Sequence, residues 1–237
     1  MGRQVHGAFG QIELSRNLAD LYPIMPDQQT QHARNDGERG EDLAVRKKAL
    51  EAQLQRTRPV SSSLVAKIVD RFQYKFIARN EFLLEPGKVA NEYLYLEKGF
   101  MRSFAFSTEG DEVTTNFYLP GQMVFEVSSF FNRTRSKESI QALTDCEGWF
   151  FTYEILNDLF HGVPEFREFG RSMLVKGFAD LKTRMLSMIM ETAEERYEQL
   201  LKNQPEIFQH APLKSIASYL GITDTSLSRI RKELSKK

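Results

Sequence analysis

The apolar positions of this chain change their period twice. Over residues 59–152 they come in short runs: FLL (82–84), EYLYLEKG (92–99), FMRSFAFS (100–107), VTTNFYL (113–119), ESIQALT (138–144) and GWFFTY (148–153). The runs are dense in aromatic and β-branched residues. Turn signals punctuate them at regular intervals: EPG (85–87), EKG (97–99), STEGDE (107–112) and LPG (119–121). Many short strands so spaced predict an antiparallel sandwich or barrel. Ahead of them, PVSSSLVAKIVDRF offers serine N-caps and an apolar face of Leu64, Ile68, Val69 and Phe72, which predicts a helix.

From residue 153 the period becomes helical. YEILNDLFHGV reads as a short helix stopping before Pro164. The stretch 165–203 follows, in which Leu174, Phe178, Leu181, Met185 and Met188 step by 4, 3, 4 and 3 residues. That is a heptad seam, the spacing on which two helices lie side by side. The plain alternative is a stripe packed on its own domain. The register breaks near Thr192, and AEERYEQLLKN makes a separate helix ending before Pro205. Residues 1–58 differ from both regions. They carry polar tracts and one amphipathic stretch over 41–56, with Leu43, Leu50 and Leu54 near one face, and read as a poorly ordered or partly helical extension.

The last segment, LKSIASYLGITDTSLSRIRKEL (213–234), holds two helical patterns separated by Gly221. Ala217 is small where two helices cross. Gly221 can take the positive φ of a tight turn, and Thr223 stands where the second helix needs an N-cap. Leu227 and Ile230 pin the second helix to the first. Together these make a helix-turn-helix plan. The second helix then presents Asp224, Thr225, Ser226, Ser228, Arg229, Lys232 and Lys236, with its early residues placed to meet base edges in a major groove.

Charge sharpens this reading. The whole chain of 237 residues balances 32 Lys+Arg against 32 Asp+Glu. Residues 213–237 hold six cations (Lys214, Arg229, Arg231, Lys232, Lys236, Lys237) against Asp224 and Glu233, a local excess of 6 − 2 = +4. A concentrated positive terminus suits a phosphate backbone. The predicted DNA contacts are Thr223, Thr225, Ser226, Arg229, Lys232 and Lys214. The plain alternative is a helical hairpin with a solvated charged face.

Composition narrows the chemistry. One cysteine, Cys146, supports neither an internal disulfide nor a cysteine-based zinc or iron–sulfur site, and it reads as a buried small hydrophobe. Trp149 reads as core. The four histidines (His6, His32, His161, His210) are scattered, and none lies in 59–152, which argues against a cupin-like metalloenzyme on the same roll. The first residues lack the apolar core of a secretory signal, no run reaches ~18 apolar residues, and a cytoplasmic protein with no membrane partner is expected.

The order of parts resembles the Crp/Fnr family of bacterial transcription regulators. FLLEPG, YLYLEKGFMRSF, YLPGQMVFE and IASYLGITDTSLSRIRKEL carry the resemblance over about residues 60–235, the last phrase in a form similar to Bacteroidetes-type members. It implies an α+β fold: an antiparallel β-roll (a double-stranded jelly roll), a long dimerisation helix and a C-terminal helix-turn-helix with a reduced or absent wing. The implied domains are a cyclic-nucleotide-binding-like sensor over 59–163, a dimerisation helix over 164–191 and a DNA-binding domain over 192–237. The implied partners are double-stranded DNA, a second copy paired through Leu174, Phe178, Leu181, Met185 and Met188, and RNA polymerase.

Two departures accompany the resemblance. Nucleotide-binding members follow a Gly-Glu with an Arg and a small residue about ten positions on. Here Glu126 matches, but Phe125 replaces the glycine, Ser136 falls where the Arg belongs, and Arg135 is one position early, which in an extended segment points to the other face. No cofactor is expected. Glu126, Arg133, Arg135 and Ser136 remain candidates for an effector pocket, and the effector is unidentified. The chain also ends three residues after Leu234, where the family carries its wing, leaving Lys214, Arg231, Lys236 and Lys237 for backbone contacts. A different function stays open: a small-molecule-binding roll whose helical end mediates only protein contacts.

Overall fold

The protein is described here by a computed structural model covering residues 43–52, 55 and 61–235. Expectations for residues 1–42, Leu54, Lys236 and Lys237 lie outside the described residues. Residues 47–237 form one unit. Residues 43–52 are helical (α1), and Leu50 is buried.

Helix α2 spans Ser62–Asp70 and buries Leu64, Val65 and Val69. The serines begin it without capping it: Ser61 stands at the N-cap with no side-chain bond to the helix, and its hydroxyl lies 3.4 Å from that of Ser63. Eight strands follow: β1 (Gln73–Ile77), β2 (Phe82–Leu84), β3 (Glu92–Lys98), β4 (Met101–Phe106), β5 (Glu112–Tyr118), β6 (Met123–Val124), β7 (Glu138–Ala142) and β8 (Cys146–Thr152). They form two four-stranded sheets, ordered β1-β8-β3-β6 and β2-β7-β4-β5. All pairings within the sheets are antiparallel. The antiparallel pairing is what the strand pattern predicts, and the α+β architecture with a β-roll is what the resemblance implies.

Both sheets feed the core. Leu94, Leu96, Val124 and Trp149 of the first sheet and Met101, Ile140 and Ala142 of the second are almost fully buried. Cys146 is buried as well, its thiol donating to Thr144 O at 3.2 Å, and burial pushes the thiol's pKa up. It remains a protonated small hydrophobe, as read from the sequence.

Three elements of the roll escape the period-2 pattern, one of them the two-residue β6. β1 (QYKFI) follows α2 within three residues and pairs with β8 from Gln73↔Phe150 to Ile77↔Cys146. The segment after β6 is not extended throughout: Val127–Asn132 forms a helix, α3, ending at Arg133 in the left-handed region (φ +55°). The extended-segment argument applied to Arg135 therefore holds only beyond this helix, where Arg135 bridges Val89.

Helices complete the chain: α4 (Tyr153–Gly162), α5 (Pro164–Met190), α6 (Ala193–Asn203), α7 (Ile207–His210), α8 (Leu213–Tyr219) and α9 (Asp224–Leu234). α5 stops at Glu191, and Thr192 opens α6 with a capping box in which its hydroxyl and the Glu195 side chain each meet the other's backbone. Hydrogen bonds from Thr192 to the Glu195 carboxylate hold that group's pKa below its usual value. Among the described residues no helix is long and apolar enough to cross a membrane.

The EKG turn joining β3 to β4 depends on glycine. Gly99 has φ +92°, and a Cβ there would lie 2.4 Å from Asp145 O and 2.6 Å from Cys146 Sγ. Gly99→Ala combines left-handed strain with overpacking, and it is expected to lower stability by about 2–4 kcal/mol. The midpoint of urea unfolding measures this, and an unchanged midpoint would contradict it.

Candidate nucleic-acid interface

The C-terminal helices are assembled around a small apolar cluster. Tyr197 and Leu200 of α6, Ile207 of α7, Ile216, Ala217 and Leu220 at α8, and Leu227 and Ile230 of α9 are buried together, with Phe117 of β5. Ala217 has no exposed surface, as expected where α8 and α9 cross. Gly221 turns the chain at φ +69°, with its N–H on Ser218 O, and Ile222 N–H returns to Ala217 O. Arg196 locks the turn from α6: its Nε and Nη2 donate to Leu220 O at 3.2 and 2.9 Å, and Nη1 donates to Glu191 O at 2.6 Å.

Thr223 caps α9, its hydroxyl accepting from Ser226 N–H at 3.2 Å and lying 3.0 Å from Ser226 Oγ. Thr223 and Ser226 are thus committed to the helix start. Asp224, Thr225, Ser228, Arg229, Arg231 and Lys232 are all exposed, and Lys214 is exposed on α8. Arg229 meets only a loose partner, Glu233 at 4.0 Å. The outer face of α9 therefore holds three cations on one short helix whose apolar side is sunk in the cluster. Such a helix can enter a groove of suitable width, with Arg229 able to fork onto a base edge and the other cations onto phosphates.

The seam on α5 lies open on the single chain. Leu174, Phe178, Leu181, Met185 and Met188 are all exposed, Phe178 by 70% and Leu181 by 64%. Met188 has a second neighbour that spacing alone does not reveal: its Cε would lie 2.5 Å from a Cβ at Gly221, so it packs over the turn between α8 and α9.

The cassette of the roll is tied to itself. The Glu126 carboxylate caps α3, accepting from the N–H groups of Ser128 and Ser129. Arg133 donates to Ala90 O (2.7 Å) and Asn91 Oδ1 (3.0 Å) and lies over the Tyr153 ring. The Ser136 hydroxyl closes on the backbone of Glu138. A cavity of about 160 Å³ opens beside this segment, below the ~300 Å³ at which small-molecule sites begin. Glu126 lines it; Arg133, Arg135 and Ser136 do not. Its ionisable lining is Glu85, Glu92 and Glu126 against Lys88, which pairs with Glu85, while Glu92 pairs with Lys75 at 2.6 Å. Three carboxylates against one paired ammonium do not suit a cyclic phosphate. Among the described residues no group of three metal-ligating side chains comes together.

Residues 74–162 match the family model of the cyclic nucleotide-binding domain. The chain is 23% identical over 168 residues to the anaerobic regulatory protein of Haemophilus influenzae, a match covering 66% of this chain and 64% of that protein. It is 23% identical over 167 residues to the transcriptional activator protein anr of Pseudomonas aeruginosa, covering 65% and 67% respectively. A solved crp/fnr-family regulator from Eubacterium rectale shares the fold, with a TM-score of 0.60 at 15% identity over 75% of this chain and 84% of that one. The chain thus spans just under two thirds of the first of these relatives. Fold and matched roll define a protein carrying a cyclic nucleotide-binding domain. The chain is similar in sequence to these regulators and shares its fold with a regulator of the crp/fnr family.

The nucleotide that the domain's family name implies does not fit the residues present. Phe125 stands against Tyr93 with ring centroids 4.3 Å apart, Glu126 occupies the α3 amides, and Arg133 is spent on Ala90 and Asn91. Millimolar cyclic AMP is expected to leave Tm unchanged. A ligand at 100 times its Kd would add about 2.7 kcal/mol and raise Tm by roughly 5–10 °C, and a rise of that size would contradict the assignment.

Proposed function

We propose that this chain is a DNA-binding transcriptional regulator that works as a homodimer on a palindromic site, with α9 of each protomer reading one half-site. The observation that carries the proposal is the outer face of α9: Thr225, Ser228, Arg229 and Lys232 in solvent while Leu227 and Ile230 are buried beneath. The family relationship supports it, since the matched relatives are regulators and one is named a transcriptional activator. Within this reading Arg229 reads bases, with Thr225 beside it. Lys214 and Lys232 neutralise phosphates. Thr223 and Ser226 hold the helix start at the groove.

The second copy is supported by the α5 seam. Leucine, phenylalanine and methionine side chains exposed at heptad spacing are expensive to leave in water, at about 25 cal/mol per Å² of apolar surface. A parallel partner covers them and presents two α9 helices on one side. The division into an N-terminal extension (1–58), a roll (59–163), a dimerisation helix (164–191) and a DNA-binding domain (192–237) belongs to the same proposal. So do a cytoplasmic location and contact with RNA polymerase. The roll senses an effector other than a cyclic nucleotide, or none.

Duplexes selected from a random-sequence pool supply the test. Arg229→Ala is expected to cost about 1–3 kcal/mol on the selected palindrome and little on scrambled duplex. Lys232→Ala is expected to weaken both equally and to flatten the salt dependence. Equal losses on both duplexes for the two variants would contradict the assigned roles, and no binding at low salt would favour the protein-contact reading. Leu181→Lys or Met185→Lys is expected to halve the sedimentation mass by placing an ammonium in the seam; an unchanged mass would contradict the dimer.

A further inference from the structure

The DNA-binding reading uses the outer side of α9 and leaves one side of α8 unexplained. That side rests on the roll, where a set of polar groups lies beside the apolar contact of Phe117 with the cluster. Arg102, the second residue of β4, is only 8% exposed. Its Nη1 donates to the Ser215 hydroxyl of α8 at 3.0 Å. Its Nη2 donates to Glu112 Oε2 at 2.6 Å and to Gln141 Oε1 at 3.2 Å, and the guanidinium lies 4.2 Å from the Phe104 ring centre. Beside it, Thr114 N–H donates to the Ser218 hydroxyl at 3.1 Å, and the rings of Phe117 and Tyr219 meet at 5.1 Å. Arg184 of α5 closes the contact, donating to Thr115 O on the roll and to Tyr219 O at the end of α8.

The distribution of partners is informative. The carboxylate and amide that neutralise and solvate Arg102 belong to its own sheet: Glu112 on β5 and Gln141 on β7. The group it offers to α8 finds only a neutral hydroxyl. If α8 moved away, Arg102 would keep both sheet partners and regain water, so the guanidinium does not need the contact to stay neutralised. The network is also unsaturated, because Arg102 Nε and Thr114 Oγ1 are buried with no hydrogen-bond partner among the described residues.

We propose that Arg102 is a positioning residue for DNA recognition. Through Ser215 it holds α8 against the β4–β5 hairpin, so the direction in which α9 faces is set by the roll as well as by α5. The proposal rests on the reading of α9 as the DNA-contacting helix. It also gives the roll a role that requires no nucleotide: β7, which supplies Gln141 to the guanidinium, follows directly on the loop of Arg133 to Ser136.

Ser215→Ala removes one hydroxyl and leaves Arg102 neutralised, so the fold is retained; Arg102→Lys keeps the charge and loses the fork. Both are compared with the unaltered full chain by amide hydrogen exchange without DNA, and by affinity for the selected palindrome and a scrambled duplex. Faster exchange at Ile216 to Leu220 and at Thr114 is expected in both variants. Affinity for the palindrome is expected to fall about five- to tenfold, with at most a twofold change on scrambled duplex. Unchanged exchange shows that the Arg102–Ser215 clasp between the roll and α8 does not form in solution. Faster exchange with unchanged or increased affinity shows that the clasp does not position α9, and either result overturns the proposal. An unaltered chain that binds no duplex removes the DNA reading itself, whereas a binding chain unaffected by Ser215→Ala removes only the role of Arg102.

Discussion

The packing of α9 on α8 governs what the C-terminal part of this chain can do. α9 is eleven residues long and carries buried side chains at Leu227 and Ile230. Those two seat against Ile216, Ala217 and Leu220 in a cluster that α6 and α7 close from the other side. Ala217 lets the helix axes approach, Gly221 turns the chain between them, and Thr223 starts the second helix at a defined residue. With the apolar side fixed, the polar side of α9 is fixed as well, and it lies in solvent with Arg229, Arg231 and Lys232. A change of one residue in the apolar register would rotate these cations by about 100° and bury some of them.

The same logic of fixed faces explains why the roll reads as a poor nucleotide receptor although it has the fold of one. A short helix in the cassette leaves free N–H groups at its start, and such groups attract an anion. Here the chain supplies that anion from its own Glu126. Arg133 is held by backbone and amide oxygens of residues 90 and 91, and Phe125 fills space with an aromatic ring. The fold is shared with relatives, but the charge and room that a phosphate needs are taken by the protein itself. Fold and ligand are therefore separable in this chain, consistent with the general rule that function resides in sites carried by a fold.

Much of this was legible in the sequence, for physical reasons that differ by segment. Six strands announce themselves because alternating aromatic and β-branched residues between glycine turns have few other ways to pack. β1 does not, because five residues directly after a helix give no room for a period to show. α3 was hidden for other reasons: its cap is a glutamate, which is not among the favoured N-cap residues, and the burial of Phe130 that holds VSSFFN is a tertiary fact. The helix-turn-helix was legible because its spacing constraints are local. The Arg102–Ser215 contact was not, since the two lie 113 residues apart; the one signal was an arginine in the mostly apolar run FMRSFAF. Met188 was legible as a seam residue and not as a neighbour of Gly221, because heptad spacing describes a single helix.

The central claim is that the outer face of α9 is the surface that meets DNA. It is tested most directly by mapping amide chemical shifts of the full chain as a selected duplex is added. The account predicts that the largest changes fall on Asp224 to Lys232 and on Lys214, with the roll strands β1, β3 and β8 nearly unmoved. Changes concentrated on the roll, with α9 silent, would contradict it.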